Sequence, residues 1–275
     1  MIALGRPLDP SWRTNRAVLW LMPALAVVGA GLAWWNGLDG AAVAVAALRA
    51  SLLGFGAWAV GRELAPDDQW AAFLAMGIAL TTLLNVPEPG FGLLFLALFL
   101  ARVLNRSTGL DPTPVDAAGV LALAGYVSWS GATPWPLFFC AVTFAWSAFR
   151  LGGPRWLAWP GMIALLGAGA ALAWLGPGIG TGEPLSRHGV ILPAIFGLGF
   201  LVALITTREV VSPGDHDDRP LAPPRVRAGM WIALGLAVSS LAQGSPQASA
   251  GVALWSVLGG VAVGRLLWSA RQVLR

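Results

Sequence analysis

The chain has 275 residues, of which 57% are hydrophobic and 11% charged. Soluble domains carry roughly a quarter charged residues, so this composition excludes one and points to a polytopic, all-α membrane protein. The net charge of +4 comes from seventeen arginines and no lysine, placed at segment ends rather than on one face or arm. That placement excludes a nucleic-acid partner and makes anionic lipid headgroups the expected one.

Ten apolar segments, each bounded by Gly, Pro or charge, are predicted as helices: 17–35, 41–61, 70–86, 91–104, 115–130, 135–150, 157–175, 189–206, 229–243 and 250–268. The first follows Arg6, Arg13 and Arg16 but is too long for a signal peptide and ends in Trp34-Trp35 without a small-x-small cleavage site, so it reads as a retained helix. The second, 41–61, reaches about 30 Å at ~1.5 Å per residue, which spans a bilayer core. Segments 91–104 and 229–243 are short for a spanning helix.

If all ten cross, fifteen of the seventeen arginines fall on the side of the N terminus, with Arg49 inside the membrane and Arg187 opposite. The positive-inside rule then puts both termini in the cytoplasm, and any segment that failed to cross would send later arginine clusters outside. In helix number, size and orientation this resembles transporters of the drug/metabolite type, built from two inverted five-helix halves, although no residue motif carries the resemblance. It implies halves at 1–133 and 134–275 of a single transmembrane domain. An all-arginine basic set suits a GC-rich prokaryotic genome, hence a prokaryotic inner membrane.

Arg49 is the strongest single signal, because a guanidinium inside the bilayer must find a partner, water or an anionic ligand. Apart from Asp116, at the very start of 115–130, no Asp or Glu lies inside another apolar segment. Thr81, Thr82, Asn85 and Ser128 are the polar side chains within reach of a membrane site, and the plain alternative is snorkelling toward Asp39. Asp39, Asp68 and Asp116 each precede an apolar run and read as helix caps. A functional alternative gathers Arg62, Asp67, Asp68, Arg102, Arg106, Asp111 and Asp116 at the cytoplasmic interface, with acids for Mg2+ and arginines for a phosphate.

Other features have bland readings. Asp215-His216-Asp217-Asp218 is a solvated charge run in a proline-rich loop, and His188 alone makes no metal site. Gly176 to Gly182 superficially resembles a phosphate loop but lacks its lysine and strand-to-helix setting, leaving a turn. Cys140, the one cysteine, is a buried hydrophobe. Trp12, Trp20, Trp34, Trp35, Trp70, Trp129, Trp135, Trp156, Trp159, Trp174 and Trp268 form an aromatic belt, with Trp58, Trp146, Trp231 and Trp255 deeper. Gly54/Gly56, Gly167/Gly169 and Gly197/Gly199 mark close helix contacts.

The expected function is a transporter or permease for a small or amphiphilic solute, anionic where Arg49 meets it. An accessory subunit of a larger membrane complex, with other membrane subunits as partners, and an interfacial enzyme on a phosphorylated or lipid-linked substrate are the alternatives. No cofactor, metal or catalytic set is expected, and no carboxylate within the membrane is available for proton coupling.

Overall fold

The computed structural model describes residues 3–84, 90–177, 187–215, 219–244 and 247–273. It is all-helical, with 78% of residues in helix and no strand among the described residues. Among the described residues ten α-helices follow in chain order: α1 (Arg13–Trp35), α2 (Gly40–Leu64), α3 (Gln69–Thr81), α4 (Phe91–Asn105), α5 (Pro114–Ser130), α6 (Trp135–Arg150), α7 (Ala158–Leu175), α8 (Arg187–Thr206), α9 (Pro223–Ala242) and α10 (Gln247–Val273). Each predicted segment overlaps one of them, although several helices run beyond the predicted bounds, α9 starting six residues earlier at Pro223.

Among the described residues, four helices are long and apolar enough to cross a membrane: Arg13–Trp35, Gly40–Leu64, Arg155–Leu175 and Ala250–Trp268. Gln69–Thr81, Phe91–Asn105 and Val190–Thr206 are apolar but shorter. At ~1.5 Å per residue the 13 residues of α3 reach only about 20 Å, less than a ~30 Å hydrocarbon core. The apolar helices place the protein in a membrane, and large hydrophobic side chains on α1, α7 and α8 face outward, as lipid-facing residues do.

Local sequence sets the helix ends. Asp39 accepts the Ala42 N–H at 3.0 Å, and Asp68 accepts those of Trp70 and Ala71 at 3.0 and 3.2 Å, as caps do. At α5 the cap is Thr113, and Asp116 completes a reciprocal capping box three residues on, with Pro114 in the first turn. Gly90 opens α4 at φ 61°, where a Cβ would fall 1.7 Å from the Ala250 carbonyl oxygen, so only glycine fits.

α4 is the axis of the bundle, with ten of its 15 residues buried among α2, α5, α6, α9 and α10. Around it, small residues let backbones approach. Gly260 and Gly264 of α10, four residues apart, lie against Ala75 and Ala71 of α3, where added Cβ atoms would come within 2.3 and 2.6 Å of backbone. Of the glycines singled out in the sequence, Gly54, Gly56, Gly197 and Gly199 make close contacts, Gly167 an ordinary one, and Gly169 faces open space. Trp58 and Trp255 are buried, whereas Trp231 is exposed on α9.

The connections sort to two ends. At one, the N-terminal segment, 65–68, 106–113, 151–157 and 207–222 touch one another: Asp215 N–H donates to Ser107 O, Ser212 Oγ to Pro66 O, and Arg225 Nη1 to Leu104 O at 2.8 Å, its Nη2 reaching Leu151 O. At the other, Trp135 Nε1 donates to Pro177 O at 3.2 Å and Gly90 abuts Ala250.

Candidate functional site

The N-terminal segment is strapped across the arginine-rich end. Asp116 accepts the Ala3 and Leu4 N–H groups at 3.0 and 3.3 Å, Thr108 Oγ1 donates to Ala3 O at 2.9 Å, and Arg102 Nη1 to Leu4 O at 2.8 Å. These anchors turn Arg6 inward over the last turn of α2. There Glu63, 2% exposed, stands between two guanidiniums: Arg102 Nε at 3.1 Å and Arg6 Nη1 at 3.5 Å. Asn105 Nδ2 donates to the Glu63 carbonyl at 2.7 Å and Ser107 Oγ to its carboxylate at 3.0 Å. Arg6 also pairs with Asp215 at 2.5 Å. Burial works against the Arg6 charge, but Glu63 and then Asp215 outweigh it and hold the guanidinium above its ordinary value.

Beside this knot lies a cavity of about 350 Å³ between the N-terminal segment, the start of α1, the end of α2 and the 207–222 connection, with Arg6, Trp12, Trp58, Arg62, Glu63 and Asp215 among its walls. Arg62 is half-buried there, its guanidinium 5.4 Å over the Trp58 ring and its Nη1 2.6 Å from Asn15 Oδ1. Trp58 is one helical turn before Arg62, which puts ring and cation on one face. Glu63 and Asp215 are taken up by Arg6 and Arg102, so Arg62 is left with a neutral amide and a ring, and among the described residues it forms no ion pair. Asp9, on the solvent side of the cavity, is exposed. The Ser11 N–H and hydroxyl hold its carboxyl below the usual range.

No family model, curated protein or solved structure matches the chain. What the arrangement can do follows from its own side chains. An acidic group entering the cavity meets a guanidinium that has no carboxylate in ion-pair contact among the described residues, and the two tryptophans offer apolar faces to the rest of the molecule.

The structure places the residues predicted from sequence in separate roles. Arg102 pairs with Glu63 while Arg62, next to Glu63 in sequence, turns to Asn15 and Trp58, and of the predicted residues only Arg62 lines the cavity. Arg106 and Asp111 form their own pair at 2.5 Å, and Asp116 anchors the N-terminal segment. Asp67 accepts Val211 N–H at 3.1 Å and Ser212 N–H at 2.8 Å, holding the 207–222 connection to the end of α2. No group of three His, Cys, Asp or Glu side chains converges on one point among the described residues. Arg49 sits on α2 away from the cavity, half-buried and engaged with a partner. Asn85, Gly178 to Glu183 and His216 to Asp218 lie outside the described residues, as does the side chain of His188.

Replacing Asp67 by Ala is expected to release the 207–222 connection. Loss of its amide hydrogen bonds costs about 1–2 kcal/mol, and trypsin should cut at exposed Arg208 or Arg219 several-fold faster, as followed by gel electrophoresis.

Arg6, Glu63 and Asn15 were not candidates from sequence, and Trp58 was singled out only as one of the deeper tryptophans. One signal was available for Glu63: it continues the row Gly56, Ala59, Val60 at helical spacing, and all three are buried.

Proposed function

We propose that the chain is a permease-like membrane protein that takes a small or amphiphilic solute by its acidic group, docking it at Arg62 in the cavity under the N-terminal segment. All ten helices cross the membrane in this reading, and the arginine-rich end with both termini is cytoplasmic. Support for the orientation comes from the gathering of the arginine-bearing connections at one end of the bundle. The observation that carries the docking site is Arg62, a half-buried guanidinium bonded to a neutral amide in a cavity of about 350 Å³.

The site favours Arg62 over Arg49 because Arg62 opens on a cavity that can hold a headgroup-sized molecule. The enzyme alternative rests on the arginines alone, since Asp67, Asp68 and Asp116 serve backbone amides and Asp111 serves Arg106.

The test is calorimetric titration of the protein in nanodiscs with dodecyl phosphate and with inorganic phosphate, beside Arg62→Gln and the distant Arg150→Gln. Saturable binding of either probe that weakens at least tenfold, about 1.4 kcal/mol, in Arg62→Gln but not in Arg150→Gln is expected. No saturable binding, or equal binding in both variants, overturns the docking site. Uptake of the bound probe into proteoliposomes, lost with Arg62→Gln, is the expected result for a permease, and binding without uptake overturns that part.

A further inference from the structure

A second, smaller pocket lies on the same end of the bundle, sharing Pro66 with the solute cavity. It is about 20 Å³ in volume, the size of one water or one small ion, and its walls include Asp68, Thr207, Val261 and Arg265. Asp68 is 4% exposed, and its two oxygens differ sharply. Oδ1 takes both amides at the start of α3, while Oδ2 is buried and has no hydrogen-bond partner among the described residues. Oδ2 faces Gly264, where a Cβ would come within 3.0 Å of it, and Gly264 stands between the pocket residues Val261 and Arg265. Asp68 lines this space, and its unpartnered oxygen is the one on the α10 side, where Val261 and Arg265 also line it.

The rest of the pocket is largely apolar, with negative potential from two helix ends set against the Arg265 guanidinium and the start of α3. α2 and α8 both end there, bringing the negative ends of their dipoles together beside Leu64, Ala65, Ala203 and Thr207. The Thr207 hydroxyl donates to Ala203 O at 2.8 Å, leaving its lone pairs to accept. Asp67, Asp68 and Glu209 line the pocket against one guanidinium, that of Arg265, whose Nη2 reaches Thr206 O at 3.4 Å. A water would satisfy one lone pair of Asp68 without offsetting its charge, whereas a cation does both. Mg2+ keeps several waters of its own, for which this volume has no room.

We propose that this pocket is a binding site for a small monovalent cation, Na+ being the probe, held by Asp68 Oδ2 and the Thr207 hydroxyl. The site stands independently of the solute reading. It supplies the cation-binding carboxylate that the apolar segments themselves lack, one wall away from the larger cavity.

The experiment is thermal unfolding of the purified protein, read by tryptophan fluorescence, across a NaCl series balanced with choline chloride at fixed ionic strength. Na+ is expected to raise the Tm saturably, by roughly 3 °C at ten times the half-saturating concentration. Asp68→Asn should abolish the response, and Thr207→Val should raise the half-saturating Na+ concentration at least tenfold. Asp111→Asn, which also removes an acid from this end of the bundle, should respond like the natural protein. A Tm that does not depend on Na+ would mean the pocket holds water only, and would overturn the proposal. So would an Asp68→Asn protein that responds as the natural one does. Should Asp68→Asn fail to fold, Thr207→Val decides alone, with an unchanged half-saturating concentration overturning the site.

Discussion

Replacing Glu63 by Gln is expected to destabilise the protein by about 3 kcal/mol, because it leaves the largely buried Arg102 guanidinium without its counter-ion while Arg6 keeps Asp215. Gln matches the shape of Glu, so packing is nearly constant and the effect is electrostatic. What the carboxylate does is read from its partners: Arg102 Nε at 3.1 Å, Arg6 Nη1 at 3.5 Å and Ser107 Oγ at 3.0 Å, all around a side chain 2% exposed. Arg102 is itself only 11% exposed and lies outside the cavity, so water replaces little of what it loses. The double variant Glu63→Gln, Arg102→Met should cost less than the sum of the two single changes, since the second removes a cation that the first has orphaned. Chemical unfolding of all four proteins measures this. Additive losses, or a Glu63→Gln cost under 1 kcal/mol, would show that the carboxylate is not the hub of this end.

The same residue shows what the sequence could and could not reveal. Ten helices were legible because apolar runs bounded by Gly, Pro and charge are long, strongly patterned signals. The capping roles of Asp39 and Asp68 were legible because they are local, needing only the next three residues. Asp116 was read one step off, since Thr113 takes the cap and Asp116 the reciprocal position. Glu63 was not legible as a buried hub. In a soluble helix a charge on the apolar stripe stands out, but α2 is apolar on every face, and a Glu in its last turn looks like the start of a loop.

Long-range pairing accounts for the rest. Arg6 meets Asp215 across 209 positions, and Asp67 holds Ser212 across 145. No spacing rule reaches that far, so the cavity and its arginines came into view only when the connections were brought to one end. Arg49 drew attention because a charge inside an apolar run is conspicuous one segment at a time. Arg62 was named only as one of seven residues at the cytoplasmic interface, because arginine in the last turn of a membrane helix is ordinary and its distinction lies in which partner the fold leaves it.

Gly260 is where the fold should tolerate least. Gly260→Val is expected to cost about 3 kcal/mol or more, at the upper end of overpacking, because a Cβ there would lie 2.3 Å from the Cα and N of Ala75. Those atoms are backbone, so no rotamer change relieves the clash and α10 must move off α3 as a unit. Separation would also open the contact of Gly264 with Ala71, one turn on, and disturb Asp68 at the head of α3. Gly77 provides the comparison: it lies on α3 as well, but a Cβ there meets nothing within 4 Å. Gly77→Ala should therefore be neutral or stabilise by about 0.5–1 kcal/mol through helix propensity. The two variants differ in which face of the α3–α10 pair they touch, so opposite shifts in Tm would locate the constraint in that seam. Equal and small shifts would mean that α10 can repack against α3, and that the small-residue approach is not what sets the distance between them.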